Sequence, residues 1–310
     1  MKSSNPNKNC IYIIVVCIVG LIFSNTTFLL KKPVMAEEVL SEQIEENVQG
    51  LFIPLSNGLG SESVEMVSDF ESVRVSVPCN DKNYYYENSL KGDGQNITEL
   101  KYGYADGTSV FDIHFSGVCE CSLEDAEGGV NVLIEPLSKK YKKVIVIDPT
   151  HGGDDAGTVS YSVKESYVNL KIAQALKEKL SSDEVGVFLT RNDEQNVDSE
   201  DRKALVTKLN ADFVLQIECR GDAKTRTTFG PEFFVFSNTV GFDVKALESG
   251  NIKFKNDGTV ADDYDLPGIL ISAGYLTNKM DADNLCDDVY VDSISSQIKD
   301  AVEEYIWKTN

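Results

Sequence analysis

The sequence predicts an α/β domain with a mostly parallel sheet flanked by helices, preceded by a small all-β domain. Three observations carry this. From about residue 143, apolar runs of strand length alternate with segments of helical period. Before that point, short segments alternate apolar and polar residues with period two. Glycines such as Gly92, Gly103, Gly107, Gly128 and Gly129 separate those segments, as turns between antiparallel strands require.

Ahead of both domains lies an export signal. Lys2 and Lys8 precede an apolar run from Ile11 to Phe23, the length of a signal-peptide core. Val34, Met35 and Ala36 then offer small residues where a signal peptidase cuts. Phe28, Leu29 and Leu30 extend the run enough to anchor it instead, over residues 11–30. Lysines flank both sides, so loop charge does not orient it. Residues 1–36 are thus a signal peptide or a membrane anchor. On either outcome the rest of the chain is exported, to the cell envelope or beyond. Residues 37–50 are acidic, rich in Gln and Asn, and read as a linker or a short exposed helix.

The formal charge of the 310 residues is −21, and every acidic residue follows Ala36. Such a surface repels nucleic acid and anionic lipid, which excludes both as partners of the folded part. Contact with a membrane is then confined to the N-terminal segment. Anionic wall polymers are repelled too, unless divalent cations bridge them.

Residues 51–138 form the predicted β domain. Val73–Val77, Val110–Phe115 and Val130–Ile134 are its clearest strands. Tyr84, Tyr85 and Tyr86 read as strand residues rather than a stacking patch. His114 has no partner at ligand spacing and reads as structural. Of seven cysteines, Cys10 and Cys17 belong to the leader. Cys79, Cys119, Cys121, Cys219 and Cys286 remain, and one disulfide within the β domain is compatible with them. Cys119 and Cys121 are spaced too tightly for a zinc knuckle.

Residues 143–310 form the α/β domain. Val144–Ile147 is a continuous apolar run, suited to a strand buried on both faces. Ser166 is placed to cap the next helix, along which Asn169, Ile172, Ala173, Leu176 and Leu180 recur. Strands follow at Val185–Leu189, Phe213–Ile217, Phe233–Phe236 and Ile269–Ile271, with helices at 199–209 and around Ile294–Tyr305. In such sheets chemistry sits beyond the carboxyl ends of the strands. His151 follows the first strand, and Glu218 and Ser272 end two later ones. Glu165 opens the first helix.

These segments resemble the N-acetylmuramoyl-L-alanine amidase 3 family. Asp148-Pro149-Thr150-His151-Gly152-Gly153 resembles its Asp-Pro-Gly-His-Gly-Gly opening. Lys164-Glu165 with Asn169-Leu170, then Thr190-Arg191 with Asp193, resemble its next two elements. Arg202 and the run Ala211–Ile217 resemble the approach to its Ser-Ile-His. Leu266–Asn278 resembles its closing Pro-x-x-Leu-x-Glu-x-Gly-Phe-x-x-Asn. The matches fall in order over residues 143–307.

The resemblance implies cleavage of the amide between N-acetylmuramic acid and L-alanine. In the family, a zinc held by His, Glu and His binds the attacking water, and a Glu acts as general base. Three protein ligands leave one coordination position open for that water. Carried over, His151 and Glu165 fall on the first two ligands. Glu218 falls on the third, a His in the family, and Ser272 on the general-base Glu. A His151, Glu165, Glu218 set would cancel a zinc's charge, and a serine accepts protons poorly. Loss of a general base alone lowers rate by about 10²–10⁴-fold. Two expectations follow. One is a non-catalytic envelope protein that binds peptidoglycan peptide or a partner protein, with zinc as the metal if one is held. The other is an active amidase with an atypical metal site, in which Asp154 or Asp155 compensates. A Cys219–His151 nucleophile pair ranks below both. Arg191, Arg202 and Asp193 read as structural. Changing Glu218→His and Ser272→Glu should rescue zinc binding if the scaffold is intact.

Overall fold

The computed structural model describes residues 50–56, 58–92, 94, 96–222, 226–236, 238–239, 253–255 and 264–308. The leader (1–36), the linker up to residue 49 and most of the segment 240–263 lie outside the described residues. No described helix is long and apolar enough to cross a membrane. The chain divides into two compact units. Of the described residues, one unit is built on residues 50–116 with Cys121–Leu133, the other on Gly117–Glu120 with residues 134–308.

The first unit's elements are β1 (Leu51–Pro54), β2 (Glu65–Ser68), β3 (Ser72–Pro78), α1 (Tyr84–Glu87), β4 (Lys91–Gly92), β5 (Ile97–Ala105) and β6 (Thr108–Phe115). β7 (Cys119–Ala126) and β8 (Gly129–Pro136) follow, each crossing the division between units. The strands form two four-stranded sheets, ordered β2-β3-β6-β5 and β4-β1-β8-β7. Period-two burial follows the sequence pattern: Val73, Val75 and Val77 point inward, as do Phe111, Ile113 and Phe115. The three tyrosines depart from expectation. They form the helical turn α1, not a strand. Tyr85 explains why: its ring packs edge-on at 4.9 Å from Phe111, and its hydroxyl donates to the Pro54 carbonyl (3.1 Å). Tertiary packing overrides β propensity there. Among the described residues no disulfide forms. Cys79, Cys119 and Cys219 are buried thiols and Cys286 is exposed.

The second unit comprises α2 (Leu137–Lys140), β9 (Lys143–Pro149), the hairpin strands β10 (Val159–Ser160) and β11 (Val163–Lys164), α3 (Glu165–Leu180), β12 (Val185–Leu189) and α4 (Ser199–Lys208). β13 (Phe213–Arg220), β14 (Glu232–Val235), β15 (Lys253–Lys255), β16 (Gly268–Tyr275), α5 (Lys279–Cys286) and α6 (Asp288–Lys308) complete it. The main sheet has the order β12-β9-β13-β16-β14-β15. β12, β9, β13 and β16 are mutually parallel, whereas β14 runs antiparallel to β16 and parallel to β15. The sheet is therefore mixed, with its antiparallel step beyond the last central strand. One sheet face carries Ile145, Ile147, Phe213, Leu215, Ile217 and Ile271, packed against Ile172 and Leu176 of α3 and Ile294, Ile298 and Val302 of α6. The opposite face carries the polar residues that matter below.

Ser166 is not the helix cap. α3 begins at Glu165 after Lys164, and the Ser166 hydroxyl instead donates to Glu194 (3.0 Å). Nor do the strands end where expected. β13 continues through Glu218 to Arg220, and β16 continues through Ser272 to Tyr275.

Candidate functional site

β9 delivers the loop Thr150–Gly153 at the carboxyl end of the sheet, beside β13. Thr150 locks it there, since both its amide (3.0 Å) and its hydroxyl (2.9 Å) donate to the Ile217 carbonyl. His151 has φ +63°, a left-handed conformation that a non-glycine residue adopts only when its surroundings impose it. Gly152 follows at φ +139°, and a Cβ there would lie 2.4 Å from the Gln195 carbonyl oxygen, so only glycine fits.

Two buried arginines impose that conformation. Arg202 donates to the His151 carbonyl (2.7 Å), the Pro149 carbonyl (2.8 Å) and Asp148 Oδ1 (2.6 Å). Arg191, with no exposed surface, donates to the Pro149 carbonyl (3.0 Å) and the Ser166 carbonyl (2.7 Å). Burial draws its guanidinium down to about 10. The buried carboxylate of Asp148 also accepts from Thr190 (2.6 Å) and Tyr264 (2.6 Å). Arg191 and Arg202 are thus structural, as expected. Asp193 accepts from the Gln195 amide (2.8 Å) and shapes the turn beside them.

His151 and Glu165 meet in front of this scaffold. His151 Nε2 lies 3.5 Å from Glu165 Oε1, and Nδ1 lies 2.8 Å from Asp155 Oδ2. Glu165 is almost fully buried. Its two oxygens accept from the Thr158 amide (2.8 Å) and the Cys219 amide (2.8 Å). The bond to Glu165, with that to Asp155, raises His151 to about 9 against the desolvation of its ring. Burial alone would raise Glu165. Its bonds to His151 and the two amides win, and hold it below the usual carboxylate range.

The other two sequence-predicted residues sit in a different arrangement. Glu218 and Ser272 are register partners on β13 and β16. Glu218 Oε1 accepts from Arg220 Nε (3.1 Å). Arg220 Nη1 reaches Glu232 Oε2 (3.3 Å), which also accepts from the Tyr275 hydroxyl (3.1 Å). The guanidinium stacks 4.5 Å over the Phe234 ring. Burial raises the Glu218 carboxyl, opposed by Arg220. Ser272 is wholly buried, and its hydroxyl has no hydrogen-bond partner. The sequence reading missed Arg220, Glu232, Phe234 and Tyr275. The one local signal was Arg220 itself, two residues beyond Glu218 and so on the same face of a strand.

Do these residues fit a zinc? His151 and Glu165 do, because their 3.5 Å separation matches the edge, about 3.4 Å, of a tetrahedral site with bonds of about 2.1 Å. Asp155 would then orient the ring from behind, as carboxylates do for ligating histidines. The third corner does not fit, since Glu218 is tied to Arg220. Among the described residues, no group of three or more His, Cys, Asp or Glu side chains is arranged to hold a metal ion. Asp155 is committed to His151 and to the Gly157 amide (3.1 Å), and Asp154 is exposed. Cys219 faces the apolar core, and burial keeps its thiol protonated, which removes the thiol-nucleophile reading. Beside His151 opens a cavity of about 400 Å³, lined by Asp148, Thr150, Asp155, Arg202 and Tyr264 among others.

A mixed sheet with helices on its apolar face, and a His–Glu pair and a polar cleft at its carboxyl ends, defines a hydrolase-type α/β domain. Residues 145–304 match the N-acetylmuramoyl-L-alanine amidase family of the amidase 3 type, and the chain belongs to that family. It is similar to the uncharacterized protein YqiI of Bacillus subtilis, 24% identical over 176 residues, covering 53% of this chain and 84% of that one. It is also similar to the probable cell wall amidase LytH of Staphylococcus epidermidis, 26% identical over 175 residues, covering 53% of this chain but 58% of the relative. Among solved structures it resembles the N-acetylmuramoyl-L-alanine amidase of Clostridium difficile 630, with a TM-score of 0.48 at 25% identity over 54% of this chain and 98% of that one.

Proposed function

We propose that this chain is an exported cell-envelope member of the peptidoglycan amidase family that binds wall peptide, or a partner at the wall, without hydrolysing it. The observation that supports this is the Glu218–Arg220 ion pair. A carboxylate already neutralised by a guanidinium is a poor third ligand, and a His–Glu pair alone leaves a zinc without the protein shell that acidifies its water. Ser272, wholly buried, has neither the charge nor the access of a general base. The cleft beside His151 retains polar groups suited to peptide amides. The basic and apolar N-terminal segment supports export, by cleavage or as an anchor. A relative named a probable cell wall amidase fits that setting.

The second reading, an amidase with an atypical metal site, draws on the His151–Glu165 spacing. One sample separates the two. The protein, purified from whichever fraction of its host holds it, is loaded with zinc. Metal content is read by elemental mass spectrometry, and release of L-alanine-terminated peptides from peptidoglycan is assayed alongside. The proposal expects well under one zinc per chain, no release and measurable pelleting with peptidoglycan. Stoichiometric zinc with peptide release overturns it.

A further inference from the structure

Three residues form a row across the polar face of the sheet. Ser272 on β16 pairs with Glu218 on β13 and with Glu232 on β14, so the three side chains share one face. The two carboxylates stand two strand spacings apart, about 10 Å between backbones. Ser272, the smallest of the three, lies between them.

Arg220 bridges the gap. One edge of its guanidinium is on Glu218 (3.1 Å) and the other on Glu232 (3.3 Å), so the group passes over the Ser272 strand. Tyr275 completes Glu232, and the Phe234 ring supports the guanidinium's plane. A longer, charged side chain at position 272 would meet this group. Ser272, on the strand between those of Glu218 and Glu232, is wholly buried, and its hydroxyl has no hydrogen-bond partner among the described residues.

We infer that Arg220 is the resident cation of this site: its guanidinium neutralises Glu218 and Glu232 and so holds divalent metal ions out. This rests on the reading that the wild-type chain holds no zinc, and goes beyond it by naming the group responsible. Removing the guanidinium leaves two uncompensated carboxylates on one face, near His151 and Glu165, whose charges both act on Glu218. Oxygen donors of that kind take divalent cations such as Mn²⁺ or Zn²⁺. It follows that Glu218→His with Ser272→Glu does not suffice to build a metal site while Arg220 stays. Arg220→Lys is different, because an ammonium keeps a positive charge between the carboxylates.

The test is thermal melting of the full chain, stripped of metal and then titrated with ZnCl₂ or MnCl₂ alone. Wild type and Arg220→Lys should show no metal-dependent shift. Arg220→Gln should gain one of about 5–10 °C at metal a hundredfold above its Kd. Glu218→His/Ser272→Glu should respond only when combined with Arg220→Gln. If Arg220→Gln cannot be purified, Arg220→Gln/Glu232→Gln balances the charge and reads the same point through Glu218, with a smaller shift expected. A folded variant lacking Arg220 that ignores both metals overturns the inference and leaves the non-hydrolytic reading standing. A metal-dependent shift in the wild type overturns both.

Discussion

The two polar networks of the α/β unit are built on different principles. On the β9 side, Arg191 and Arg202 are buried and donate to the Pro149 and His151 carbonyls, and the buried Asp148 carboxylate accepts from Arg202. On the β13–β16–β14 side, Arg220 is about a third exposed, and its bonds end on the carboxylates of Glu218 and Glu232. The first network sets backbone geometry; the second sets local charge. A fold can keep the first while the second is rewritten, because exchanging side chains on a formed strand leaves the ladder intact. Hence His151 and Glu165 still stand at the spacing of two metal ligands in a chain whose third corner is closed by an ion pair.

The contrast is sharpest in stability. Arg202→Met leaves the Asp148 carboxylate buried without its cation and frees the His151 carbonyl, while the Pro149 carbonyl keeps Arg191. Breaking a buried pair from one side costs about 3–5 kcal/mol. Arg220→Met also strands a buried carboxylate, Glu232, but one that keeps the Tyr275 hydroxyl, and it frees no backbone carbonyl, so it should cost less, about 2–3 kcal/mol. Urea denaturation of both variants decides the matter. Equal losses would erase the distinction between a geometric and an electrostatic network.

A second measurement probes the β9 side through protons. His151 is raised from 6.5 to about 9 by Glu165 and Asp155. Because the folded value is the higher one, the stabilisation is complete below about pH 6.5 and is lost as pH rises through about 9. For a ring a third open to water this is worth roughly 1–2 kcal/mol. In metal-free protein the urea midpoint should fall across that window. The fall should be missing in His151→Gln. A wild-type midpoint flat from pH 6 to 9 would mean that His151 and Glu165 are not coupled as the 3.5 Å distance implies.

The same division explains what the sequence made legible. Val144–Ile147, Val185–Leu189 and the α3 and α6 stripes are local periodic patterns, and each became the expected element. His151 and Glu165 could be placed because they sit where a strand ends and a helix begins. The antiparallel β14 was not legible, since a four-residue apolar run carries no direction. Nor was the α1 turn, which Phe111 dictates from 26 residues away. The Arg220 bridge joins three strands far apart in the chain, and only the sheet order brings Glu232 beside Ser272. Glu218 and Ser272 could be named as departures from the family pattern, but nothing local told that a guanidinium links their surroundings.

The smallest expected effect is the most discriminating. The family resemblance implies that Ser272 stands where a proton-accepting Glu is expected. Here the side chain is a buried hydroxyl with no partner. Burying such a group unpaired costs about 1–3 kcal/mol, so deleting it relieves a penalty while giving up only one small atom's packing. Ser272→Ala should therefore leave the protein as stable as the wild type or more stable by up to about 1 kcal/mol, with peptidoglycan binding unchanged. The readouts are the urea midpoint and a pelleting assay on the same preparation. A loss above about 1 kcal/mol would show that the hydroxyl holds a bond, to a trapped water or to Arg220's network. A loss of binding with stability intact would make Ser272 part of the recognition surface. Either result would break the assignment of the Arg220 network to charge neutralisation alone.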